Sequence, residues 1–209
     1  MKELLKRLTD ADSSFAAEWQ KMLSGEIYEA ANPKFGELLA ATRRIVRRFN
    51  DLDPGDSDEM DSLLRSMLGS AGRNIHVNQP FRCDYGCNIS VGDNFFANFN
   101  LTILDEARVT FGDRVLIGPN VSIYTACHPL DPRARATFDE WAEPVTVGND
   151  VWIGGNVVVL PGVTIGSNSG IGAGSVVSRD VPEWVVAAGN PCRVIRAITE
   201  EDRAYYYKT

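Results

Sequence analysis

The sequence predicts a mainly β fold: a parallel β-helix of six-residue repeats, with an α-helical region before it and a short helix after it. Three observations predict it. From Val147 to Pro182 six hexads run unbroken: VGNDVW, IGGNVV, VLPGVT, IGSNSG, IGAGSV and VSRDVP. Their first residues are all Val or Ile, their fifth residues are Val or Ser, and four of the six have Gly second. A period of six fits neither a helix (3.6) nor an alternating strand (2), and fixed hexapeptide periods mark a β-helix. The same register returns upstream at Val91, Ala97, Ile103, Phe111, Ile117 and Ile123. Residues 1–68 lack it and carry helical spacing instead.

The N-terminal region, 1–68, comes first. Phe35, Leu38, Leu39, Thr42, Ile45, Val46 and Phe49 recur at three- and four-residue intervals, one face of an amphipathic helix. Asn32-Pro33 supplies its cap and first turn. DLDPGDSD is a turn-rich linker, helix resumes from Asp58 to Leu68, and Gly69 stops it.

The β-helix is expected over 69–196. One hexad makes a short strand and a corner, and three hexads make an 18-residue coil. The first and fifth residues point inward, and β-branched side chains there suit stacked strands. The second is Gly because the corner needs positive φ or leaves no room for a Cβ. Each coil covers its neighbour's apolar edge. Two steps are too long: Cys83 to Val91 and Ile103 to Phe111 each take eight residues. They lie 20 apart, one coil plus two, so they fall at one corner of successive coils. Ile123 to Val147 is the same step plus 16. The insertion 128–143 should therefore leave from that corner, with His128 at its mouth; insertions in repeat proteins gather on one face, often the binding face. The tail, 197–209, reads as a short helix (TEEDRAYYYK) whose tyrosines, Tyr205 to Tyr207, would cover the prism end or a neighbouring subunit.

Composition narrows the function. The 209 residues carry a net charge of −7, which argues against a nucleic-acid partner. The only basic run, Arg43, Arg44, Arg47 and Arg48, reads as a solvated helix face rather than a phosphate site. No apolar run reaches 18 residues, so no membrane span or membrane partner is expected. The start, MKELLKRLTDADSS, lacks the apolar core of a secretory signal. Cys83, Cys87, Cys127 and Cys192 suggest neither a disulfide framework nor a metal set; Cys83, Cys87 and Cys127 fall at inward positions, and the expected compartment is a reducing cytoplasm. A prism exposes flat apolar faces, and a cyclic homotrimer would bury them.

MLSGEIYEA, FRCDYGCNISVGDNFFANFN, LIGPNVSIYTACHPLD, VTVGNDVWIGGNVVVLPGVTIG, IGAGSVVSRDVP and AAGNPCRVIR occur in this order from about Met22 to Lys208. Together they resemble the hexapeptide-repeat acyltransferases of the maltose and galactoside O-acetyltransferase type, with nodulation-type sugar acetyltransferases as close relatives. The resemblance implies a left-handed β-helix and transfer of an acetyl group from acetyl-CoA to a sugar hydroxyl in a trimer with sites between subunits, without a metal. It places His128 as catalytic base, Asn98 as the residue positioning the substrate, and Glu140 as a carboxylate that orients the imidazole or is a loop charge. An alcohol attacks a thioester only as its proton is removed, and neutral imidazole suits that. The resemblance further implies sugar contacts at Asp84 and Asp105, and a CoA lining of Trp152, Gly155, Ala173, Ser178, Arg193 and Arg196. Two positions depart from some relatives: Gly155 replaces Ser, and Phe96 stands for the Tyr of galactoside-type enzymes, leaning toward the maltose type. His76 reads as surface, and the first 15 or so residues lie outside the resemblance.

Two other readings stay open. A β-helix carbonic anhydrase needs three His ligands, and the chain has two histidines. A non-catalytic scaffold would not need His128, Asn98 or the CoA lining.

Overall fold

The computed structural model describes residues 1–204, so the tyrosines Tyr205 to Tyr207 lie outside the described residues. Four helices come first: α1 (Lys2–Ala11), α2 (Ser13–Ser24), α3 (Pro33–Asp51) and α4 (Ser57–Met67). Their ends follow local chemistry. Asp12 caps α2 by accepting from the amides of Ser14 and Phe15, and Gly25 closes it at φ 81°. Asn32 caps α3 with Pro33 at its first turn.

The β-helix has three parallel faces. Face I stacks Ser70–Ala71, Ile89–Val91, Val109–Phe111, Val145–Val147 and Thr164–Ile165. Face II stacks His76–Val77, Phe96–Ala97, Leu116–Ile117, Trp152–Ile153, Gly170–Ile171 and Val185–Ala188, with Arg193–Ala197 added antiparallel. Face III stacks Phe81–Cys83, Leu101–Leu104, Ser122–Tyr124, Val158–Val159 and Val176–Val177. The slips predicted from the sequence appear in the register. Ser90 pairs with Thr110, Thr110 with Thr146, and Thr146 with Thr164. Both eight-residue steps and the insertion run from face III to face I, so all three share the III–I corner.

First and fifth hexad residues fill the prism: Ile103, Ile117, Ile123, Ile153, Val157 and Ile165 are all buried. Two inward serines are satisfied rather than orphaned. Ser169 donates to the Pro182 carbonyl and Ser175 to that of Gly172. The glycine reading needs one correction. Positive φ falls on the fourth hexad residue, as at Asn94, Asn120 and Asn168, not on the second. Second-position glycines are there for want of room: a Cβ on Gly118 would sit 2.6 Å from the Gly155 nitrogen of the next coil.

The helices close the N-terminal end of the prism. Phe49 of α3 and Leu64 and Met67 of α4 share one core with Phe81, Ile89 and Ile103. The Asn50 side chain pairs with both the N–H and the C=O of Phe81, continuing face III onto α3. A second, aromatic core joins Phe15, Trp19, Tyr28 and Phe35 to Tyr85, which projects from the III–I corner. Leu8 belongs to it, so α1 is packed into the fold. A short helix, α5 (Pro132–Arg135), lies within the insertion, and α6 (Glu200–Ala204) follows the prism.

Two cysteines depart from expectation. Cys127 is not in the core, because the chain leaves the prism after Thr125: Ala126 and Cys127 pair antiparallel with Ala142 and Trp141. Cys87 is only half-buried, because at the lengthened corner it packs against the aromatic core of the helical region rather than inside the prism.

Candidate active site

The first three coils bulge at the III–I corner, and the third bulge opens into the insertion. His128 stands where that loop begins, with its side chain 55% exposed. Tyr28 and Glu140 form an antiparallel bridge, with the Tyr28 amide donating to the Glu140 carbonyl at 3.1 Å. The bridge fixes the end of the loop against the helical region. It also aims the Glu140 carboxylate: Oε2 lies 3.5 Å from Nδ1 of His128, and Oε1 accepts from the Tyr28 phenol. Tyr28 is 2% exposed, and burial, reinforced by Glu140, pushes its pKa far up, so the phenol stays a neutral donor. Ala30, Ala31, Arg135 and Phe138 complete a cleft of about 360 Å³ around His128 and Glu140. A base whose Nδ1 faces a carboxylate has Nε2 left for a hydroxyl proton.

Below His128 on the same corner lies an acidic cluster. Asp105, expected to touch sugar, is fully buried: one oxygen accepts from the amides of Asp84 (3.0 Å) and Tyr85 (2.9 Å), and the other has no partner. It shapes the corner from inside. Burial pushes its pKa up to about 8. Glu106, which the sequence reading passed over, is pushed up to about 9, first by burial and then by Asp84, with which it shares a hydrogen bond. Glu106 also accepts from the Thr125 hydroxyl at 3.3 Å, three residues before His128. Asp84 is half-buried and lines an open cleft on face III.

The remaining predicted residues lie elsewhere. Asn98 sits at the II–III corner, its side chain accepting from the Phe99 amide at 2.8 Å. Gly155 and Ala173 occupy the same corner further along. Trp152 projects from face II, 61% exposed. Ser178 follows the last strand of face III, and Arg193 and Arg196 lie on the antiparallel strand at the edge of face II. Trp152 and Arg196 share a groove of about 910 Å³. The Arg196 fork is occupied, however, because both terminal nitrogens bond Asp202 (2.8 and 2.7 Å). Arg193 donates to the Cys192 carbonyl. One chain thus places Asn98 and His128 on different corners of the prism. Tyr28 was missed because its bond to Glu140 spans 112 residues and leaves no local pattern. His76 is exposed and stacks on Phe96, with ring centroids 5.5 Å apart. Among the described residues no group of three or more His, Cys, Asp and Glu is arranged to hold a metal ion.

Comparison with known proteins gives the following. The pattern described as the maltose acetyltransferase hexapeptide capping motif matches residues 21–72, and the bacterial transferase hexapeptide pattern of six repeats matches 144–179. A relative from Saccharomyces cerevisiae (YJL218W) is 52% identical over 184 residues, covering 88% of this chain and 94% of its own. The crystal structure of a maltose O-acetyltransferase from Clostridium difficile 630 is 46% identical, with TM-score 0.86 over 87% of this chain and 97% of that one. A galactoside acetyltransferase in complex with coenzyme A is 43% identical, with TM-score 0.87 over 90% and 94%.

Proposed function

The chain belongs to the hexapeptide-repeat acetyltransferases of the maltose and galactoside O-acetyltransferase type, and from that premise we propose that it moves the acetyl group of acetyl-CoA directly to a sugar hydroxyl, with His128 as general base. The observation that carries this reading is the Tyr28–Glu140–His128 arrangement at the mouth of the corner loop. Glu140 holds the tautomer of His128 that carries its proton on Nδ1, leaving Nε2 to take the acceptor's proton as its oxygen attacks the thioester carbonyl. The tetrahedral oxygen that forms needs backbone donors, a role we assign to Gly155. The leaving thiolate then takes the proton from His128.

A covalent acetyl-cysteine is the poorer route. Burial, with Glu143 and Glu140 nearby, pushes the Cys127 thiol up to about 11, so little thiolate is present near neutral pH.

We assign the site to a homotrimer. Asn98 and His128 need two copies to meet, and face II offers the surface for it: Leu116 is 49% and Trp152 61% exposed, register partners on one stripe. Face I presents Ser90, Thr110, Thr146 and Thr164 instead, a solvated row of hydroxyls.

The test is thiol release from acetyl-CoA in the presence of a panel of sugars. His128→Ala should lower turnover by about 10²- to 10⁴-fold while the assembly mass is unchanged. Turnover within threefold of the parent would remove His128 from the base role.

A further inference from the structure

The basic run of α3 takes no part in the acetyl-transfer geometry. Helical spacing divides it. Arg48 pairs with Glu59 on α4. Arg43 and Arg47, four residues apart, line a cleft of about 480 Å³ between α3 and face III. Arg82 lines it from the outer side of the Phe81–Cys83 strand. Three guanidiniums from two separate elements therefore meet at one concave space, in a chain of net charge −7.

These arginines are poorly matched by the protein itself. Arg65, Arg73, Arg114 and Arg196 each close on an aspartate at 2.6–2.7 Å. Arg47 reaches Asp51 through one nitrogen at 3.5 Å. Among the described residues Arg43 and Arg82 form no ion pair within 4.0 Å. The remaining carboxylate of the cleft, Asp84, is hydrogen-bonded to Glu106. Asp84 also fixes where the cleft lies. Its corner is two coils from the one that releases His128, roughly 10 Å at the usual strand spacing.

We propose that this cleft binds a phosphate or carboxylate group carried by the acceptor sugar, which selects anionic sugars over neutral ones. Guanidinium forks match both anions bidentately, whereas a neutral sugar gains little from three cations. Asp84, beside the arginines, accepts from a ring hydroxyl, and the sugar extends along the corner toward His128. This rests on the reading of the III–I corner as the transfer site.

The experiment compares glucose, glucose 6-phosphate and glucuronate as acceptors, with calorimetric titration of the same three sugars alongside. The phosphate and carboxylate sugars should each exceed glucose by at least about tenfold in kcat/KM at low salt, and the advantage should shrink at high salt. Arg82→Gln and Arg43→Gln should lower the anionic sugars at least tenfold more than glucose, while Arg44→Gln changes none of them. Equal use of glucose and its anionic counterparts, or equal losses on all three in R82Q, overturns the proposal. The titration separates the two layers of the reading. Tighter binding of glucose 6-phosphate than of glucose, lost in R82Q, supports the cleft even if no acetyl group moves, and only the transferase assignment then fails. Equal binding, or none, removes the cleft and leaves that assignment standing.

Discussion

The two oxygens of Glu140 have different partners: one faces Nδ1 of His128 and the other takes the Tyr28 phenol. Removing the phenol oxygen separates packing from positioning, because the ring of Tyr28 stays against Phe35. Tyr28→Phe should lower kcat by about tenfold, the equivalent of one hydrogen bond to a charged group at ~1.5 kcal/mol. KM for the acceptor should stay within about twofold of the parent's, and an unchanged kcat would reduce Tyr28 to a packing residue. Asp105 makes a separate prediction. Its folded pKa, about 8, lies above the usual 3.8, so the folded state holds a proton the unfolded state loses. Stability from this group is full below about pH 4 and falls as pH rises to about 8. In urea titrations Asp105→Asn should gain on the parent between pH 5 and pH 9, and a constant difference would contradict the buried carboxyl. Neither Tyr28 nor the burial of Asp105 was legible in the sequence. One depends on a contact across 112 residues, and the other on a corner turned inside out by two extra residues.

Strands and corners were far more legible, because a prism repeats its interior every six residues and the sequence must repeat with it. The eight-residue steps at Cys83 and Ile103 located the III–I corner, and the pairing of Cys83, Ile103 and Ile123 on face III bears this out. The reading failed where the chain left the prism. Cys127 kept the period in sequence but belongs to the antiparallel ribbon with Trp141. The glycines give an element-level test. A Cβ at Gly112 would lie 2.8 Å from the Asn149 nitrogen, whereas one at Gly36 in α3 meets nothing within 4 Å. Gly36→Ala should stabilise by about 0.5–1 kcal/mol through helix propensity. Gly112→Ala should destabilise by about 1–3 kcal/mol, because two coils must part. Denaturant midpoints moving in the same direction for both would refute this account of the corner.

At the scale of the whole molecule, three unlike faces divide the work. Face I is a row of hydroxyls, face III carries α3 and the arginine cleft, and face II exposes Leu116 and Trp152. A charge in that stripe, as in Leu116→Asp, should shift the mass in solution from trimer to monomer, as read by light scattering. Asn98 and His128 lie on separate corners of one chain, so the proposed site is complete only where the His128 of one copy meets the Asn98 of another. The most direct test mixes two inactive proteins, His128→Ala and Asn98→Ala, by co-refolding and assays acetyl transfer. Random mixing in a cyclic trimer places an intact His128 beside an intact Asn98 in about a quarter of the sites. The account predicts activity near that fraction of the parent's from two samples that are each silent alone. A mixture as silent as its components would contradict a site built between subunits.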